Sequence, residues 1–266
     1  MTLFEAILIG IVEGITEFLP VSSTGHMIIT QKFLGVEDND FTKLFTVGIQ
    51  LGAIMAVVLL YWQKFISPFK DGARGIQFYF KLGVAVIPAL LLGFLFSDYI
   101  DQMLDSTLTV AISLLTGGIV LLFIDRLLTR ETIRQEEQID FWRAFKIGCW
   151  QCIAMIPGVS RSASSIIGGM QQQLSRSLAA EFSFFLAVPT MAAATGYKLL
   201  KGYQQLNTEG WQLFAVGNVV AFVIALLAIK FFIRYVQRNG FKVFAFYRMA
   251  LGVLLLILLA TGYLKP

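Results

Sequence analysis

Apolar residues run for the length of a bilayer crossing in six places along the chain, about 42–62, 80–97, 107–125, 179–199, 211–233 and 241–263, taking roughly 17 to 25 residues per spanning helix. Two further stretches, 3–35 and 143–173, are equally apolar but break in the middle. The breaks read Leu19-Pro20-Val21-Ser22-Ser23-Thr24-Gly25-His26 and Pro157-Gly158-Val159-Ser160-Arg161-Ser162. Each half of a broken stretch is too short to cross, so the pattern predicts an all-α polytopic membrane protein with six transmembrane helices and two re-entrant helical hairpins.

The broken stretches resemble each other at an offset of 138 residues: Gly10 falls on Gly148, Glu13 on Gln151, Val21 on Val159, Ser22 on Ser160 and Thr24 on Ser162. Each is followed by three spans, and an odd number of spans inverts the second copy. The expected organisation is therefore a first repeat over 1–138 and an inverted second repeat over 139–266. Such repeats place their sites near the midplane, where irregular backbone lines a cavity.

Charge assigns the sides. Lys64, Lys70, Arg74 and Lys81 follow the first span, Arg126, Arg130, Arg134, Arg143 and Lys146 follow the third, and Lys230, Arg234, Arg238, Lys242 and Arg248 precede the last. Asp98, Asp101 and Asp105 stand in a connection without a base. The basic connections are expected to be cytoplasmic and the acidic one external, with both termini outside. The first hairpin then dips in from outside and the second from the cytoplasm.

Of the 266 residues, 57% are hydrophobic and only 14% charged, against roughly 25% charged in a soluble domain. No sizeable soluble domain fits. The net charge of +4 belongs to retained loops and gives no ground for nucleic-acid binding. The N-terminus lacks a basic n-region and reads as mature protein. Cys149 and Cys152 lie in an apolar stretch and read as small packing residues, with no disulfide. Gly48, Gly52, Gly117, Gly118, Gly168 and Gly169 read as points of close helix contact, and the charged stretch 126–140, with Gln171 to Gln173, as solvated ends.

Glu13 and Glu17, four apart, share a helix face. Carboxylates at membrane depth are functional by default, and two together call for a cation or a shared proton. His26, the chain's one histidine, stands beside Ser22, Ser23 and Thr24. Arg161 sits inside the second break, between Ser160 and Ser162. Half-helices beginning near Ser23 and Ser162 would point free N–H groups and positive dipole ends into the breaks, each with a hydroxyl cap. Helix starts of this kind bind phosphate. Two of them with Arg161 suit a multiply charged anion, reconciled with the acid pair by a bridging divalent ion, Mg²⁺ or Ca²⁺. No nucleotide P-loop and no second histidine for zinc are present.

The run Glu13-Gly-Ile-Thr-Glu17-Phe-Leu-Pro-Val-Ser-Ser-Thr-Gly-His26, with Pro157-Gly-Val-Ser-Arg161-Ser162 and Glu181-Phe-Ser-Phe-Phe-Leu-Ala-Val-Pro189, closely resembles the bacitracin-resistance type undecaprenyl-diphosphate phosphatases. The resemblance runs along the whole chain. It implies hydrolysis of undecaprenyl diphosphate to the monophosphate carrier of peptidoglycan synthesis, a divalent cation, bacitracin resistance and the bacterial inner membrane, with the site open to the external side. After its Ser-Arg-Ser the family usually continues Gly-Ala-Thr, where this chain has Ala163-Ser164-Ser165; the added methyl tightens the turn beside Arg161.

Joined to the residues, the resemblance implies Ser23 as nucleophile with His26 as its base, or His26 as the nucleophile itself. Glu17 orients His26 or holds the metal; Glu13 is a metal ligand or shares the proton. Arg161 stabilises transferring charge, and Ser22, Thr24, Gly25, Ser160 and Ser162 contact the substrate, a polyprenyl diphosphate lipid in the bilayer. The competing class is an ion-coupled transporter or flippase of a phosphorylated lipid or small anion, which inverted repeats with broken helices also build.

Overall fold

A computed structural model of the chain describes residues 1–71, 73–96, 99–100, 103 and 106–264. The described residues are helical almost throughout: α1 (Leu3–Thr16), α2 (Ser23–Leu34), α3 (Asp40–Gly48), α4 (Gln50–Leu60), α5 (Trp62–Asp71), α6 (Ala73–Leu95), α7 (Thr107–Leu127), α8 (Phe141–Gln151), α9 (Arg161–Gln171), α10 (Arg176–Gly202), α11 (Thr208–Asn239) and α12 (Lys242–Ala260). Among the described residues six segments are long and apolar enough to cross a membrane: Asp40–Leu60, Gly75–Leu95, Thr107–Leu127, Arg176–Gly202, Thr208–Asn239 and Lys242–Ala260. They match the six expected spans. Asp98, Asp101 and Asp105 lie outside the described residues.

Local sequence sets most helix starts. Side chains of Thr2, Asn39, Ser106, Asp140, Ser160, Ser175 and Asn207 each accept a hydrogen bond from a backbone N–H in the adjoining first turn, satisfying donors the helix itself leaves free. Helix α2 departs from this. Its preceding residue, Ser22, has φ +68° and makes no side-chain cap, which corrects the expected hydroxyl cap on the first half-helix and leaves that start to be shaped by tertiary contacts.

The first span is not one continuous helix. It is interrupted at Ile49, and the N–H of Gly52 at the restart is shared between the Ile49 carbonyl at 3.1 Å and Asn218 Oδ1 of α11 at 2.7 Å. A side chain on Gly52 would strike the Asn218 carbonyl, so glycine permits the close approach that satisfies this N–H inside the membrane region. The other glycines expected at contacts behave alike: Gly118 faces Ala245 and Met249 of α12, Gly168 faces Trp150, and Gly169 faces Ala179. Cys149 and Cys152 are free thiols; Cys149 is exposed rather than packed, and Cys152 Sγ bonds the Gly148 carbonyl at 3.3 Å.

Two charge assignments need correction. Lys81 stands within α6, nearly buried, with its Nζ 3.3 Å from Glu136 Oε1 and from the carbonyls of Glu136 and Glu137. Arg248 lies in the body of α12 and is 1% exposed, so it belongs to no loop. The stretch 126–140 is exposed over most of its length, as expected of a solvated end, but it is pinned to the body of the protein at a few buried positions. Glu136 and Ile133 are buried, and Ile133 pairs with Leu174 through backbone bonds to Gln173 and Ser175. Asp125 ties the same end together, accepting from Arg176 Nε and from the Phe241 N–H, each at 2.7 Å.

The packing interleaves distant parts of the chain. Helix α1 lies along α11, α8 along α6, and α7 along α12. Phe18, at the first break, packs edge-on against Phe184 of α10 with centroids 5.2 Å apart, so the first break sits within the main core with Val21.

Candidate active site

Helix α1 ends at Thr16, and Glu17 is its cap, bonded back through its N–H to the Glu13 carbonyl at 3.0 Å. The chain then turns through Pro20 and restarts at Ser23 as α2. Glu17 is thereby held between two helix starts. Its Oε2 accepts from Ser23 Oγ at 2.7 Å, and its Oε1 accepts from Arg161 Nη2 at 2.9 Å. Ser23 and Arg161 are the first residues of α2 and α9, so one buried carboxylate receives the leading side chain of each half-helix.

Arg161 is anchored through both terminal nitrogens and its face, while its Nε has no hydrogen-bond partner. Nη1 donates to the Ser183 carbonyl at 3.1 Å, Nη2 also meets Met191 Sδ at 3.3 Å, and the guanidinium lies over the Phe18 ring at 5.5 Å. A buried charge of this kind is stable only when paired and bonded, and the planar fork places it against Glu17 and Ser183 together.

Glu13 is the unsettled member. It is 1% exposed, and neither carboxylate oxygen has a hydrogen-bond partner. It lines a cavity of about 690 Å³ with Ser23, Thr24, Lys32, Lys43 and Lys198, a volume of the order of ligand sites, roughly 300 to 1,000 Å³. An orphaned buried carboxylate beside a cavity fits a hard divalent cation. Glu17 fits less well, since each of its oxygens already accepts a bond. Among the described residues no group of three or more metal-ligating side chains is assembled, so further donors would have to come from a bound substrate or from water.

His26 is placed differently from expectation. Its Nδ1 stands 2.8 Å from the Ser22 carbonyl and its Nε2 2.7 Å from the Tyr247 hydroxyl, with the two rings stacked. A carbonyl only accepts, so Nδ1 carries a proton, and Nε2 faces the Tyr247 hydroxyl. Ser23 Oγ bonds Glu17, and no hydrogen bond joins it to His26. The expected Ser23–His26 contact, and a contact between Glu17 and His26, are therefore not what the geometry presents: the side chain in hydrogen-bond contact with Ser23 is the Glu17 carboxylate.

The remaining site residues divide. Thr24 lines the cavity. Ser22 is buried and meets His26 through its carbonyl. Gly25 lies against Leu114 of α7, where a Cβ would come within 2.7 Å of Leu114 Cδ1. Ser160 caps α9 at Ala163 (3.2 Å), and Ser162, fully buried, donates to the Leu19 carbonyl at 2.9 Å and meets Ser160 Oγ at 2.9 Å. These two serines brace one break against the other. The Ala163 N–H donates this capping bond with helix α9 intact. Sequence reasoning missed Tyr247 and Arg248; the signal was a charge set among apolar residues of a spanning helix, which is functional by default.

Comparison with known proteins identifies the family of the chain. The profile of the family described as bacitracin resistance protein BacA matches residues 6–254. The chain is 53% identical over 262 residues to the undecaprenyl-diphosphatase of Flavobacterium johnsoniae, covering 97% of this chain and 96% of that one. It is 49% identical over 265 residues to that of Bdellovibrio bacteriovorus (99% and 98% covered), and 45% identical over 267 residues to that of Thermoanaerobacter sp. (99% of each). Matched along nearly all of its length, the chain belongs to the bacitracin resistance protein BacA family.

Proposed function

We propose that the chain is a membrane-embedded phosphatase that hydrolyses undecaprenyl diphosphate to undecaprenyl phosphate and inorganic phosphate, returning the lipid carrier to peptidoglycan synthesis and conferring bacitracin resistance. The observation that carries the reading is the Glu17 carboxylate, which holds a serine hydroxyl on one oxygen and a guanidinium on the other beside a cavity with lysines. A carrier needs no serine hydroxyl bonded to a carboxylate, so this geometry favours hydrolysis over transport.

Ser23 Oγ attacks the terminal phosphorus while its proton passes to Glu17 Oε2. The bond from that phosphorus to the bridging oxygen breaks, undecaprenyl phosphate leaves, and Glu17 gives up its proton through the cavity. Water then attacks the phosphoserine and yields a proton to the same carboxylate, the bond from phosphorus to Ser23 Oγ breaks as Glu17 returns that proton to Oγ, and inorganic phosphate departs with Ser23 restored. Arg161 and the free N–H groups at the start of α2 stabilise the transferring charge. His26 holds the Ser22 peptide, and with it the turn that aims Ser23. Glu13 would hold a divalent cation, Mg²⁺ or Ca²⁺, which when bound supplies neutralising charge to the diphosphate.

The protein is further proposed to be an inverted repeat in the bacterial inner membrane, its two broken segments re-entrant. Support comes from the helix boundaries: α1 and α8 begin 138 residues apart, as do α2 and α9. The cavity is lined from the ends that loop charge assigns outside, including Val36, Asp38, Thr107 and Leu264. Lys64, Lys81, Asp125, Glu136 and Arg176 gather in ion pairs at ends assigned inside. The site accordingly opens to the external face.

The test is phosphate release from a C55 diphosphate by the purified protein in lipid vesicles. Release is expected. A folded protein that releases none but moves the lipid between leaflets would replace this reading with the transporter.

A further inference from the structure

We propose that Arg248 is a positioning residue that holds the two chain breaks in register, so that Ser23 and Arg161 converge on Glu17. The inference rests on the phosphatase reading and on the repeat of the two breaks.

Arg248 sits in α12 with its side chain sealed from solvent. Nη1 donates to the Pro20 carbonyl at 3.3 Å, and Nη2 to the carbonyls of Gly158 at 3.2 Å and Ser113 at 3.3 Å. Pro20 stands three residues before Ser23 and Gly158 three before Arg161. The two carbonyls are also 138 residues apart, equivalent points of the two breaks. One guanidinium therefore grips the same place in both.

Physical chemistry gives the contact its purpose. Carbonyls in a broken segment have lost their helical donors and need others at membrane depth. Gly158, at φ +86°, adopts a turn that favours glycine. A Cβ there would also crowd Val110 of α7, so break and helix are in close contact. The planar fork can serve both carbonyls at once, which a lysine ammonium on a flexible stem does poorly. Among the described residues no carboxylate pairs with Arg248; its partners are the carbonyls of the two breaks and of α7. An ion pair would have been the usual way to bury this charge. Its placement instead serves the backbone that carries the site.

The fold makes room for this fork. A Cβ on Gly117 of α7 would overlap Arg248 Nη2 and come within 3.0 Å of its Cζ. The three atoms nearest such a Cβ all belong to Arg248, so Gly117 offers a way to displace the fork while keeping its charge.

The experiment measures phosphate release from C55 diphosphate by the full chain, with thermal melting alongside, for Arg248→Lys, Gly117→Ala, Arg161→Lys and the double variant Arg161→Lys/Arg248→Lys. Arg248→Lys is expected to lower kcat by about 10- to 100-fold with little change in KM, as small misplacements of reacting groups do. Gly117→Ala should fall in the same direction, again in kcat. The double variant should stay within about threefold of Arg161→Lys alone, because a misplaced and a shortened group at the same contact are one loss rather than two. Losses that multiply, a loss carried wholly by KM, or both single variants near wild-type turnover would overturn the role. If Arg248→Lys does not fold, Gly117→Ala decides by itself. A folded wild type that releases no phosphate sinks the phosphatase reading and this role with it; an active wild type with indifferent variants removes only the role of Arg248.

Discussion

Replacing Glu17 by glutamine keeps the shape of the side chain, removes its charge and breaks the pair of hydrogen bonds that define the site. The Oε2 that now accepts from Ser23 Oγ at 2.7 Å and the Oε1 that accepts from Arg161 at 2.9 Å cannot both remain acceptors in an amide. If the amide oxygen keeps Arg161, the NH₂ faces Ser23 and can only donate to it. Ser23 then has no base in contact. Loss of a positioned general base costs roughly 10² to 10⁴ in rate, or about 2.7 to 5.4 kcal/mol at 1.36 kcal/mol per decade.

Removal of one partner from a buried pair also destabilises the fold, by about 3 to 5 kcal/mol in measured cases. Arg161 keeps the Ser183 carbonyl and the Phe18 ring, which should hold the loss toward the lower figure. The assay is steady-state phosphate release from C55 diphosphate at saturating lipid, on protein whose melting transition shows that it is folded. His26→Ala is the control, expected to fall by only about 10- to 100-fold because His26 acts through the Ser22 peptide. Glu17→Gln within tenfold of wild type, or His26→Ala less active than Glu17→Gln, would refute Glu17 as the base.

Ser23→Ala should abolish turnover yet retain lipid binding, and acid quench of the wild type with labelled substrate should trap an acid-stable phosphoester at Ser23; an acid-labile adduct lost in His26→Ala would make His26 the nucleophile. In a chain with Cys149 and Cys152 replaced by serine, a cysteine at Asp38 should label from outside and one at Asn239 only after permeabilisation, and the opposite pattern would reverse the membrane sides. Glu137 is held below the ordinary carboxylate range by its own backbone N–H and then by Lys64, 3.0 Å away. A lowered folded-state value contributes stability above that range and loses it as pH falls through the folded value. The melting temperature should therefore hold from neutral pH into the ordinary carboxylate range and decline below it, less so in Glu137→Gln, and by a small amount because the side chain is mostly exposed. An unchanged profile in Glu137→Gln would remove the ion pair from the stability of this loop.

What the sequence determined by itself is what short-range physics controls. A bilayer's thickness sets the length of an apolar run, so the six spans were legible within a few residues. Pro20 and Pro157 with their serines and glycines mark places where a helix must stop, and the two restarts at Ser23 and Arg161 stand where the pattern puts them. Glu13, Glu17 and Arg161 were legible as well, because charge in an apolar segment is costly enough to demand a use.

Partner choice was decided only by the tertiary structure. Glu17 meets Arg161 across 144 residues and His26 meets Tyr247 across 221, and no local spacing encodes such pairs. His26 stands three positions from Ser23, so proximity along the chain suggested a pair, yet Ser22 at φ +68° starts a helix on which His26 turns to Tyr247. Arg248 and Lys81 were counted with loop charges because both stand within a few residues of basic ends. Whether such a charge meets water or a carbonyl depends on which helix packs beside it. Packing puts Pro20 and Gly158 within reach of one guanidinium, and that contact exists only once α7 and α12 have closed against both breaks.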